Sequence, residues 1–157
     1  MVEAALLAGK EILFGDSEEF GFNMAVDSLK ERLNADTILL ATHQFWITCD
    51  IHSMIQIARE AGAFLIEDAS ASFGSRINDQ ITGTLGDAAF FSFDSTKLVN
   101  VPLKRGFLRV SDPEVVRPLP SFYRVRHRPH AATAQAPVSA HGSDSGYAGA
   151  AGFVSFI

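Results

Sequence analysis

Three residue types with reaction chemistry stand at the ends of two apolar runs. Ala63-Phe64-Leu65-Ile66 ends in the acids Glu67 and Asp68, while Ala88 to Phe93 carries Ser92 and leads to a lone lysine, Lys97. Apolar runs of this length, bounded by turn residues, read as buried strands. In open α/β sheets ligands bind beyond the carboxyl ends of strands, so polar side chains placed there form a site pattern. A carboxylate in such a place can hold a cation, and a lysine amine that is neutral part of the time can attack a carbonyl. Taken singly, each residue has a plainer reading. An aspartate after a strand is commonly a cap or turn residue, a lysine is commonly solvated, and a serine in F-S-F commonly faces water or a neighbour.

The joint pattern is more specific than its parts. Glu67-Asp68-Ala69-Ser70-Ala71-Ser72-Phe73-Gly74 is followed by Gly83 through Lys97, G-T-L-G-D-A-A-F-F-S-F-D-S-T-K, with Asp68 and Lys97 29 positions apart. The stretch resembles the DegT/DnrJ/StrS-type sugar aminotransferases, a family of fold-type I enzymes that use pyridoxal 5'-phosphate. Its motifs E-D-A-A-Q/H-A-x-G and G-x-x-G-D-A-x-x-F-S-F-x-x-T-K recur here in order and at compatible spacing. Phe73-Gly74-Ser75-Arg76 and Thr96-Lys97-Leu98-Val99 extend the likeness.

That resemblance implies a role for each residue. Pyridoxal phosphate is an electron sink whose ring, charge and aldehyde the protein must hold. Lys97 would carry the cofactor and act as the catalytic residue, Asp68 would pair with the protonated pyridine nitrogen, and Ser92 would help hold the phosphate. The implied activity is transfer of an amino group from an amino acid, glutamate, to a nucleotide-linked keto sugar in polysaccharide or secondary-metabolite biosynthesis, by a homodimer. A non-catalytic remnant that acts at most as a binding module is the alternative. A sugar dehydratase of the same family is a third reading; there histidine replaces the lysine, and Lys97 counts against it. Two departures stand out: Ala71 occupies the position usually Gln or His, and Val101-Pro102-Leu103-Lys104-Arg105-Gly106 replaces a glycine-rich turn after the lysine.

The elements that must position these residues follow from periodicity. Glu11 to Asp16 reads as a strand closed by a Gly-Asp turn, and Asn23 to Leu33 as a helix with Asn23 as its cap. Thr37 to Ala41 reads as a buried strand leading to His43, a turn histidine that either bonds backbone or approaches the site. Asp50 caps a helix to Glu60, with Ile51, Met54, Ile55 and Ala58 on one face and Gly62 as the stop. Gly106 to Val110 is the strand after the lysine loop. Alternating strands and helices predict right-handed βαβ units. The expected fold class is α/β, a three-layer αβα arrangement with a mostly parallel sheet, similar to a partial large domain of the fold-type I aminotransferases.

Composition sets the remaining bounds. The chain has 157 residues, 18 acids against 13 bases and a net charge of −5. That balance argues against nucleic acid and anionic membranes as partners. The single cysteine, Cys49, excludes an internal disulfide and fits a reducing cytoplasm, and no metal site is expected. Neither a leader nor a membrane-spanning run is recognisable. Residues 1–123 read as the partial large domain. Residues 124–157, rich in Ala, Pro, Ser, Gly and His, read as a disordered tail whose histidines His127, His130 and His141 arise by chance rather than as metal ligands.

Overall fold

The computed structural model describes residues 1–101 and 105–116, and the backbone of 152–156. Its framework is a five-stranded sheet. The strands are β1 (Ile38–Thr42), β2 (Phe64–Asp68), β5 (Ala88–Phe93), β6 (Arg105–Val110) and β7 (Gly152–Phe156), side by side in that order. β1, β2 and β5 run parallel; β6 is antiparallel to β5, and β7 to β6. One βαβ unit, from β1 through a helix at 51–61 to β2, matches the expected alternation, whereas β2 reaches the parallel β5 through residues 69–87, which form no α-helix. β6 can lie antiparallel to β5 because the connection from Phe93 to Arg105 is short, and its described residues form no helix. A two-residue-strand hairpin, β3 (Arg76–Ile77) with β4 (Gln80–Ile81), stands apart from the sheet.

One helix carries most of the described packing. α2 (Ile51–Ala61) starts where the Asp50 side chain accepts the Ser53 amide and stops at Gly62, whose φ of 70° is left-handed. Its buried face, Ile51, Met54 and Ala58, meets Leu39 and Ala41 of β1 and Leu65 of β2. On the same face of the sheet, further along, Phe91 of β5 stacks on Phe107 of β6 with ring centroids 4.3 Å apart. Phe73 caps that pair edge-on, 5.8 Å from Phe91 and 5.3 Å from Phe93. Alternation along each strand leaves Leu40 and Thr42, Ile66 and Asp68, and Phe90 and Ser92 half-buried on the opposite face.

Elsewhere the structure departs from the sequence reading. Residues 23–33 form no α-helix; only Val26–Ser28 makes a 3-10 turn. Asn23 is drawn into the interior instead of capping a helix: it is buried, its amide donates to Ile47 O at 3.3 Å and its carbonyl accepts the Gln44 amide at 3.0 Å. Residues 11–16 form no strand, although Ser17 bridges Met24 nearby. α1 (Val2–Leu7) lies at the amino end and α3 (Pro113–Val116) after β6. Within the stretch read as a tail, 152–156 pair along β6 as β7; the tail histidines His127, His130 and His141 lie outside the described residues.

Candidate active site

The sheet register decides which motif residues share a surface. Asp68 is the last residue of β2 and pairs with Phe90 of β5, so Ser92, two residues on, lies on the same face as Asp68. Lys97 follows β5 in a turn where its amide donates to Asp94 O at 2.9 Å. All three therefore belong to the carboxyl edge of two adjacent parallel strands, with Asp68 and Ser92 on one face.

Their polar atoms are open to a ligand in different degrees. One oxygen of Asp68, Oδ1, accepts the Ser70 amide at 3.0 Å. Among the described residues its other oxygen makes no hydrogen bond and the Lys97 amine makes none either. Ser92 Oγ accepts the Asp94 amide at 3.4 Å, which leaves its proton to donate. Carboxylate, hydroxyl and amine thus form a set suited to a ligand that carries a cationic ring nitrogen, an anionic oxygen and a carbonyl carbon.

Glu67 points the other way, as alternation requires, and it is wholly buried. Its Oε1 accepts the amides of Leu85 and Gly86, both at 2.6 Å, and its Oε2 accepts the Gly83 amide at 2.7 Å. The His43 ring adds a fourth contact, Nε2 to Oε2 at 3.3 Å. Burial pushes the Glu67 carboxyl up, but the His43 contact and the three amides outweigh that and hold it below the usual glutamate range.

The acid at Glu67 explains much of the glycine motif that follows it. Gly83 turns with φ 81°, and a Cβ there would run into the Phe91 ring. A Cβ at Gly86 would lie 2.6 Å from Leu65 Cδ2. Asp87 then closes the loop: its Oδ2 accepts the Leu65 amide at 2.8 Å and its own amide donates to Leu65 O at 3.0 Å. These fixing roles were missed by reasoning from residue type. The adjacency of Glu67 to Asp68, combined with period-two alternation, was the signal available for Glu67.

His43 takes the backbone-bonded alternative of its two readings. It is buried, and its Nδ1 accepts the Cys49 amide at 3.2 Å and lies 3.4 Å from Cys49 Sγ. Burial, with Glu67 next in effect, pushes the Cys49 thiol up to about 12, so this free cysteine stays protonated. Ala71, at the position where Gln or His is usual, is half-buried and brings no polar side chain to the edge.

Comparison with known proteins gives the family of the chain. The model of the DegT/DnrJ/EryC1/StrS aminotransferase family matches residues 1–149. The chain belongs to this family. Among its curated relatives, the GDP-perosamine synthase of Escherichia coli O157:H7 is 28% identical over 99 residues, 62% of this chain and 27% of that protein. The GDP-perosamine synthase of Vibrio cholerae is 30% identical over 99 residues, again 62% and 27%. The chain thus spans about a quarter of the length of these relatives. Among solved structures, a DegT DnrJ EryC1 StrS aminotransferase from Brucella abortus superposes with a TM-score of 0.70 at 24% identity, covering 82% of this chain and 37% of that one. The α/β fold class expected for the family is the class this chain has. Among the described residues no helix is long and apolar enough to cross a membrane.

Proposed function

We propose that the chain carries the cofactor edge of a pyridoxal-phosphate-dependent sugar aminotransferase, with Asp68, Ser92 and Lys97 as the residues that hold the cofactor. The observation that supports this reading is the common carboxyl edge of β2 and β5, adjacent in the sheet, which carries a carboxylate oxygen, a hydroxyl proton and, just beyond β5, an amine that have no hydrogen-bond partner among the described residues. When bound, pyridoxal phosphate supplies the electron sink that makes an amino-acid Cα proton removable. Asp68 would offer its free oxygen to the ring nitrogen, and Ser92 its hydroxyl to the phosphate. Lys97 would hold the aldehyde carbon covalently and, once displaced by the amino donor, move the Cα proton at its Nζ.

The finer reading follows from relatives that act on nucleotide-linked sugars. Glutamate would be the amino donor, a nucleotide-linked keto sugar the acceptor and polysaccharide or secondary-metabolite biosynthesis the context. The working form would be a cytoplasmic homodimer. A non-catalytic binding module is the competing reading, and cofactor capture separates the two. Adding pyridoxal phosphate should give a saturable absorbance change that Lys97→Ala abolishes. Asp68→Asn should weaken it on the order of tenfold, the scale of one charge-assisted hydrogen bond. An unaltered response in Lys97→Ala would sink the proposal.

A further inference from the structure

The buried pair behind the site has no part in the chemistry just described, yet it touches the residue on which that chemistry depends. His43 holds two consecutive residues of β2 by two different groups. Its ring Nε2 meets Glu67 Oε2 at 3.3 Å, and its main-chain amide donates to Asp68 O at 3.2 Å. The ring is oriented from behind. The Cys49 amide donates to Nδ1 at 3.2 Å, so Nδ1 is an acceptor and the proton sits on Nε2, where it can be donated to Glu67. Glu67 in turn is fixed by the amides of Gly83, Leu85 and Gly86, and Asn23 secures the turn beyond His43 through Gln44 and Ile47.

From this we infer that His43 is a positioning residue for Asp68. Its two-point grip transmits the placement of two separate loops, 43–50 and 83–86, to the carboxyl end of β2. The inference rests on the proposed role of Asp68 but reads out independently of cofactor. The side chains of Asn23, His43, Cys49 and Glu67 are buried, and each hydrogen bond has a defined donor and acceptor, so the carboxylate of Asp68 starts from a fixed main chain. Glu67→Gln illustrates the logic. Glutamine has one acceptor oxygen where four donors converge, so its NH₂ would face the Gly83 amide and the His43 Nε2 proton. The ring could answer only by shifting its proton to Nδ1, where the Cys49 amide already points.

The Ser70 amide is a reporter of the outcome, because it donates to Asp68 Oδ1. In His43→Ala, amide hydrogen exchange at Ser70 and Ala69 should accelerate on the order of tenfold or more while amides in the middle of α2, such as Ala58, keep their protection. Unchanged exchange at Ser70 in a folded variant would overturn the inference. Should His43→Ala not fold, ¹⁵N chemical shifts of the His43 ring in the unaltered chain serve instead: a proton on Nε2 and a bare Nδ1 support the relay, and a proton on Nδ1 overturns it. If exchange responds as expected but Lys97 captures no cofactor, the grip on Asp68 stands and the proposed function falls.

Discussion

Four donors converge on the Glu67 carboxylate, three main-chain amides and the His43 ring, and the site is closed to water. Removing the charge should therefore cost roughly 3 kcal/mol, since buried donors to a charged group are left poorly matched. Glu67→Gln should lower the denaturant midpoint accordingly, and a loss below about 1 kcal/mol would show that the loop 83–86 holds itself without the acid. The sign with pH follows from its lowered folded-state pKa. The stabilisation is fully present above the ordinary glutamate range and is lost as pH falls through and below it. Acid titration of the unaltered chain should show that loss, and Glu67→Gln should flatten it. Ser72 makes the opposite case. Its buried Oγ has no hydrogen-bond partner among the described residues, while Thr82 Oγ1 donates to the Ser72 carbonyl at 2.7 Å. Ser72→Ala removes a desolvated hydroxyl without touching that bond and should be neutral or stabilising by about 1 kcal/mol in thermal unfolding. A clear destabilisation would mean the hydroxyl has a partner in solution.

The turn after β1 shows how an element can be set against its own residue preferences. Phe45 and Trp46 both have positive φ, 51° and 63°. A left-handed residue with a Cβ costs on the order of 1–2 kcal/mol, and the Trp46 ring is too exposed to recover much of it. Trp46→Gly should thus leave stability unchanged or raise it by about 1 kcal/mol after the entropy of glycine in the unfolded chain is counted. A marked loss in chemical denaturation would assign the ring a packing role. The elements legible in the sequence were those whose periodicity and termini agreed: α2, with Asp50 and Gly62 at its ends, and the strands running into Asp68 and Ser92. The helix expected at 23–33 failed because Asn23, a residue suited to capping, is satisfied by the distant turn 44–47, a contact no local pattern encodes. The β3–β4 hairpin went unread although Asn78 and Asp79, both with positive φ, form the two-residue turn that such a hairpin favours. The strand pairing that put Asp68 and Ser92 on one face could be anticipated from alternation, whereas the inward set of His43 and Glu67 depended on three loops meeting.

At the scale of the whole molecule, the chain spans about a quarter of the length of the curated relatives it matches. Phe14, Phe20, Phe22, Phe45 and Trp46 are all exposed, and Phe22 and Phe45 meet edge-on at 5.2 Å. Apolar surface of this kind promotes association. Sedimentation should show self-association that rises with concentration, and a monodisperse monomer throughout would mean that this surface is tolerated in water. The proposed cofactor role belongs to the carboxyl edge of the parallel strands, where Lys97 follows β5 beside the end of β2. Borohydride reduction after incubation with pyridoxal phosphate, followed by peptide mapping, tests it most directly. One cofactor adduct is expected, on the peptide that contains Lys97, weakened in Asp68→Asn. An adduct spread over exposed lysines such as Lys10 and Lys30, with no preference for Lys97, would contradict it.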